Sequence, residues 1–347
     1  MKHFSLLSLT CILVSSVCAE TVFTIPQGYT RITIPAAASS SSPTLTSVSI
    51  NLFNDLTYSG TAVISADFDP DPDSDTDTTD TAQTVTSAGA TWTADEWIAT
   101  PHLAHIVNAN GAEESFLIVG NTTDTLTLDG GFDLLADSRF NSATTVKIRE
   151  ANTIGSVLGT DNTPFTQNDL VYVWDGSAWE SFVTFGGDWF AASGSNAGDD
   201  VTDAVIFPEE GLFIQRNETT DATLTFFGEV PTLSRAATVV GESASFISTS
   251  FPVGDTEEGA TLASLNINSI PGWSTDDSVF VWSGSEWIGF VEFSGNWFFS
   301  TGSNAGNDAN TYIVDANSAV FLSRSSSGSA SNSGVTIPVP YTLDPVE

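Results

Sequence analysis

Aspartates occupy every second position through 69–77: Asp69, Asp71, Asp73, Asp75 and Asp77. Such a run offers carboxylate oxygens to a hard divalent cation, and calcium is the ion that takes six to eight of them. The run lacks the turn glycine and the distal bidentate glutamate of an EF-hand loop, and Pro70 and Pro72 stiffen it. The expectation is an acidic loop over 67–80, with calcium as its one cofactor candidate and weak affinity, roughly 10⁻⁴–10⁻³ M.

Other chemistry-bearing residues are sparser. His102 and His105 are the only histidines beyond His3. A triad would need one of them beside a serine and an acid, and residues three apart on a strand face opposite ways. The run Gly194-Ser195-Asn196-Ala197-Gly198 sets its serine one place too early for a nucleophile elbow, and it recurs at 302–306. It reads as turn chemistry used twice. Asp199-Asp200 and Glu257-Glu258 are adjacent carboxylates in loops, whereas a glycosidase needs two carboxyls facing each other across a cleft. No catalytic residue is assigned.

Tryptophan gives the strongest signal. Residues 169–198 return at 277–306 with 18 of 30 positions identical and no gap, so Trp174, Trp179 and Trp189 become Trp282, Trp287 and Trp297 at an offset of 108. A period this long marks a duplicated module, because solenoid units are much shorter. Indole rings on a β-sheet either anchor a core or stack on sugar rings. Alternation along Trp179-x-Ser181-x-Val183-x-Phe185 makes one face apolar, as a core face requires. Trp179 and Trp287 stand just past turns and are the candidates for glycan stacking.

The elements that must position these residues are strands. Residues 30–34 alternate polar and apolar, and 45–53 and 58–68 carry β-branched residues. Residues 114–119 and 124–128 flank Gly120-Asn121-Thr122-Thr123 and read as a hairpin, with a further strand at 144–149. In each repeat, strands alternate with Gly-containing turns, and helix-period segments are absent beyond residue 19. The chain is therefore read as all-β: an N-terminal barrel or sandwich (20–150), a first Trp-rich antiparallel module (151–231), a connecting segment with a strand (232–258) and a second module (259–347). The strand at 244–252 is expected to repeat the role of 30–35.

Between 97 and 128, a tryptophan segment, Pro101-His102, the Ala109-Asn110-Gly111 turn and Phe116-Leu117-Ile118-Val119-Gly120-Asn121-Thr122-Thr123-Asp124 form a recognisable phrase. It resembles a paralogous family of secreted verrucomicrobial proteins of unknown function, best over 29–159. That resemblance implies an exported, β-rich protein and carries over no functional residue. The aspartate-rich stretch 67–80 departs from the family pattern.

Charge and the N-terminus narrow the function class. Eight basic residues stand against 43 acidic ones, a net charge of −35. That balance argues against nucleic acid, whose phosphates must be neutralised by cations, and against anionic membranes. Lys2 and His3, an apolar run over 4–14, and Val17-Cys18-Ala19 before Glu20 read as a secretory signal occupying 1–19. The apolar run is too short to span a bilayer, and no membrane span is expected. Both cysteines, Cys11 and Cys18, fall inside that segment, so a chain beginning at Glu20 has no disulfide. The expected protein is secreted (extracellular, cell-surface or periplasmic), non-enzymatic, and structural or adhesive, with polysaccharide or cell-surface components as partners. The alternatives are a glycan-binding protein using Trp179 and Trp287, and then a polysaccharide-active enzyme.

Overall fold

The computed structural model describes residues 25–39, 41–65, 82–129, 133–135, 139–160, 163–325 and 332–341. The described chain is nearly all β, as its alternation and turn residues require.

Two strands come first, β1 (Gln27–Ile34) and β2 (Thr44–Ser49). Six more, β3 (Leu56–Ile64), β4 (Thr84–Thr86), β5 (His102–Val107), β6 (Glu113–Asn121), β7 (Thr125–Leu128) and β8 (Ala143–Glu150), close a barrel in the order β6-β5-β8-β3-β4-β7 and back to β6. Closure removes free edges from this unit. Its interior holds Trp92, Trp97, Phe116, Leu126 and Ile148. The expected hairpin is β6–β7, with a register shift between Ile118 and Gly120.

The first module continues with β9 (Asn152–Thr153), a five-residue helix α1 (Ile154–Leu158), β10 (Leu170–Trp174), β11 (Trp179–Phe185), β12 (Asp188–Ala191), β13 (Val205–Ile206), β14 (Gly211–Arg216) and β15 (Ala222–Glu229). The second comprises β16 (Arg235–Val239), β17 (Ala244–Ser248), β18 (Gly259–Thr261), β19 (Ser278–Trp282), β20 (Trp287–Phe293), β21 (Asn296–Phe299), β22 (Ile313–Asp315), β23 (Ala319–Ser323) and β24 (Ser333–Ile337).

Pairing shows that the two modules are the same object. One sheet runs β12-β11-β10-β14-β2 and the other β21-β20-β19-β23-β17. Trp174 pairs with Trp179 and Trp282 with Trp287 in matching registers. A pair of strands covers each sheet: β1–β15 in the first module and, in the second, β16–β24, which also joins the barrel sheet through a parallel pairing of β16 with β6. Apolar side chains fill the space between, including Val171, Phe182 and Trp189 in one and Val279, Phe290 and Trp297 in the other.

This pairing revises the expected boundaries. Strands β1 and β2 belong to the first module, pairing with β15 and β14, so the barrel is an insertion between β2 and β9. Residues 232–258 are likewise no connector, since β16 and β17 are built into the second module. The strand at 244–248 repeats the role of β2, while β16 repeats that of β1.

A buried ion pair marks each copy. Arg216 Nη1 lies 2.5 Å from Asp169 Oδ2, and the Asp169 carboxylate also accepts from the backbone of Thr166 and Asn217. Asp277 accepts from the backbone of Ser274 and Ser325, with Arg324 Nε 4.0 Å away. All four positions match at an offset of 108.

Candidate functional site

The outer faces of the two five-stranded sheets meet, and four of the six repeated tryptophans, Trp174, Trp179, Trp282 and Trp287, lie in that seam. On β10 and β11 the inward residues Val171 and Phe182 fill the module core, while Tyr172, Trp174 and Trp179 face the other module. Phe213 and Phe246 stack at 5.0 Å with 17° between their planes. Around them Trp179 and Trp287 pack edge-on against Phe213 at 5.3 and 5.6 Å. Each module also reaches across with an indole N–H: Trp174 donates to the Ala244 carbonyl (3.0 Å) and Trp282 to the Leu45 carbonyl (2.8 Å). Residue i meets j and j meets i, the contact pattern of an isologous dimer interface. The apolar face read from alternation is thus a seam between modules. Trp179 is half-buried there and Trp287 keeps 38% of its surface exposed.

A second cluster sits where barrel and modules join. Arg235, fully buried, pairs with Glu113 and Glu209 and lies over the Phe53 ring at 4.6 Å. Lys147 pairs with Glu113, Arg149 with Glu229, and Arg139 with Glu114. Together with the module pairs, six of the eight basic residues are held in ion pairs; Arg31 is exposed and Lys2 lies outside the described residues. Burial alone would raise the Glu113 carboxyl, but Arg235 and Lys147 more than offset it and hold it below the usual range.

This junction brings a histidine, a serine and an acid together. Ser115 Oγ lies 2.8 Å from His105 Nδ1 and donates to Glu209 Oε1 at 2.8 Å, while Arg235 Nη2 donates to the same hydroxyl. A hydrolytic triad runs serine, imidazole, carboxylate, with the imidazole taking the serine proton. Here the hydroxyl stands between the other two and its proton points at Glu209, so the imidazole is on the wrong side for a relay. Burial and then the neighbouring Arg235, Arg149 and Lys147 keep His105 well below its usual pKa, hence neutral. The cluster ties three units together.

Beside it opens a cavity of about 470 Å³, lined in part by Glu114, Glu209, Glu210, Trp174 and Phe246. Glu210 is half-buried, and burial followed by the adjacent Glu209 pushes its pKa up to about 7. It can therefore hold a proton near neutrality, as a general acid must.

The calcium candidates Asp69, Asp71, Asp73, Asp75 and Asp77 lie outside the described residues, as does the segment 1–19. His102 is separate from His105, its Nδ1 lying 2.7 Å from the Thr100 carbonyl oxygen and its ring against Trp97. Asp199, Asp200, Glu257 and Glu258 are exposed.

Two residues with no assigned role stand out on the surface. Phe185 and Phe293 end the matched strands β11 and β20 and are 68% and 63% exposed. Their signal was present in the repeat, since phenylalanine is kept at both positions, but alternation assigns them to the apolar face. Only the seam's extent decides that they overrun it.

No family model matches the chain, and no curated protein or solved structure matches it.

Proposed function

We propose that this is a secreted, non-enzymatic protein of the extracellular or cell-surface space with a structural and adhesive role. The observation that carries the reading is the inward use of the repeated residues. The seam tryptophans and the paired cations serve cohesion, which leaves an anionic exterior carrying isolated aromatic side chains. The Ser115–His105–Glu209 geometry supports cohesion over hydrolysis for the same reason. Calcium bound weakly by Asp69–Asp77 oxygens is part of this proposal. Fractionation of the producing cells tests it: the protein is expected in the medium or at the cell surface, and loss of its gene is expected to weaken surface attachment. Recovery from the cytoplasm, or turnover of a polysaccharide by the pure protein, overturns it.

A second reading, glycan binding, is favoured by the partial exposure of Trp287 and by the groove beside Phe185.

A further inference from the structure

Phe185 stands at the tip of the β11–β12 hairpin, beside an open groove of about 450 Å³. The two-residue turn Gly186-Gly187 has φ of +70° and +105°, a conformation that glycine adopts without strain and that matches the twist of the paired strands. Register pairs Phe185 with Asp188, and the Thr184 hydroxyl donates to the Asp188 carbonyl, so the ring rides on a fixed base.

The duplication singles out this ring. Around the tip, Thr184, Gly186 and Asp188 have become Glu292, Ser294 and Asn296 in the second module, yet Phe185 has stayed phenylalanine as Phe293. Gly187 is kept as Gly295, where φ is +83° and the backbone demands it. No backbone or core demand explains the phenylalanine. Burying such a side chain is a sizeable stabilising gain, and it is forgone here twice.

The groove's chemistry defines the ligand. Its described lining combines Phe185 with Thr160, Thr163, Thr166 and Gln167 and the glycine turn, and none of its described residues is charged. On a chain of net charge −35 an anionic polymer is disfavoured, which leaves a neutral one. The Thr160 hydroxyl and the exposed Gln167 amide make no protein hydrogen bond among the described residues, so they are available to a ligand. An exposed aromatic face beside hydroxyl and amide groups suits the apolar face and equatorial hydroxyls of a pyranose. We infer that the Phe185 hairpin groove is a binding site for a neutral polysaccharide. This deepens the adhesive reading, on which it rests, by naming its ligand class and moving the sugar platform away from the tryptophans.

The test is retention of the purified protein on insoluble cellulose, mannan and curdlan, with Phe185→Ala compared to Phe227→Ala. Phe227 is as exposed but sits on the β1–β15 ribbon, and both variants are checked for an unchanged melting temperature. The expected result is retention on at least one polymer that persists in high salt, weakened about tenfold by Phe185→Ala and unaffected by Phe227→Ala. Retention on none of the three, or equal loss in both variants, overturns the site. Surface localisation and cell attachment that survive Phe185→Ala would leave the adhesive reading standing while removing this one.

Discussion

Trp174 of the first module meets Phe321 of the second edge-to-face, with 5.2 Å between ring centroids, and Trp282 returns the contact against Phe213 at 6.1 Å. The seam is therefore one cooperative cluster, and its members share partners. Phe213→Ala is expected to cost about 3–5 kcal/mol, as large-to-small core changes do. Phe213→Ala combined with Phe321→Ala is expected to cost measurably less than the sum of the two, because the second truncation enters a seam already opened. Denaturant unfolding of the single and double variants reads both numbers.

The Asp169–Arg216 pair predicts a second cost. Removing the guanidinium leaves a buried carboxylate whose other partners are two backbone N–H groups and the Thr166 hydroxyl, all uncharged. Arg216→Ala is expected to destabilise by about 3–5 kcal/mol, the usual penalty for halving a buried pair. An unchanged unfolding midpoint would show that the charge is solvated after all.

Glu210 makes stability depend on pH in an unusual direction for a carboxylate. Its folded pKa of about 7 lies above the ordinary 4.5. Below 4.5 both states carry the proton. Between 4.5 and 7 the unfolded chain releases it while the folded chain keeps it, so stability falls as pH rises through that window and levels above it. Glu210→Gln is expected to gain on the order of 2 kcal/mol over the parent at pH 8 and almost nothing at pH 4, which melting curves at both values will read.

Deletion of residues 67–80 tests the aspartates. Ile64 pairs with Val85 across the ends of this stretch, and a shorter connection costs no more to close. Without calcium the deletion is expected to leave the melting temperature nearly unchanged. With the stretch present, calorimetric titration is expected to find calcium affinity of roughly 10⁻⁴–10⁻³ M, and submicromolar binding lost on deletion would make it a dedicated site.

Much of the fold could be read from the chain. The ungapped tryptophan spacing predicted two like modules, and Trp174↔Trp179 and Trp282↔Trp287 occupy the same register. Turn residues located most strand ends because glycine and asparagine meet local backbone demands. Membership of β1 and β2 was not legible: alternation reveals that a strand has two faces, not which distant strand pairs with it. The junction was hidden for a related reason. Arg235, Glu113 and Glu209 are unremarkable alone, and only tertiary packing brings them to His105 and Ser115. The module ion pairs, by contrast, left a cue, since Asp169 with Arg216 and Asp277 with Arg324 repeat at the same spacing. Phe185 is legible as a repeated ring but not in its exposure, because the period fixes its face and not where the opposing module ends.

The insertion of the barrel between β2 and β9 fixes an order of events. Every barrel strand lies within 56–150, so that unit can close as soon as its own residues are made. The first module cannot, because Gln27 must wait for Glu229 and Thr44 for Arg216. Prior closure of the barrel shortens that wait by holding the ends of the inserted segment in one folded body, reducing the loop entropy of bringing β1 and β2 to their partners. A chain truncated near residue 200 should hold a formed barrel and two idle strands, with unpaired edges open to neighbouring chains.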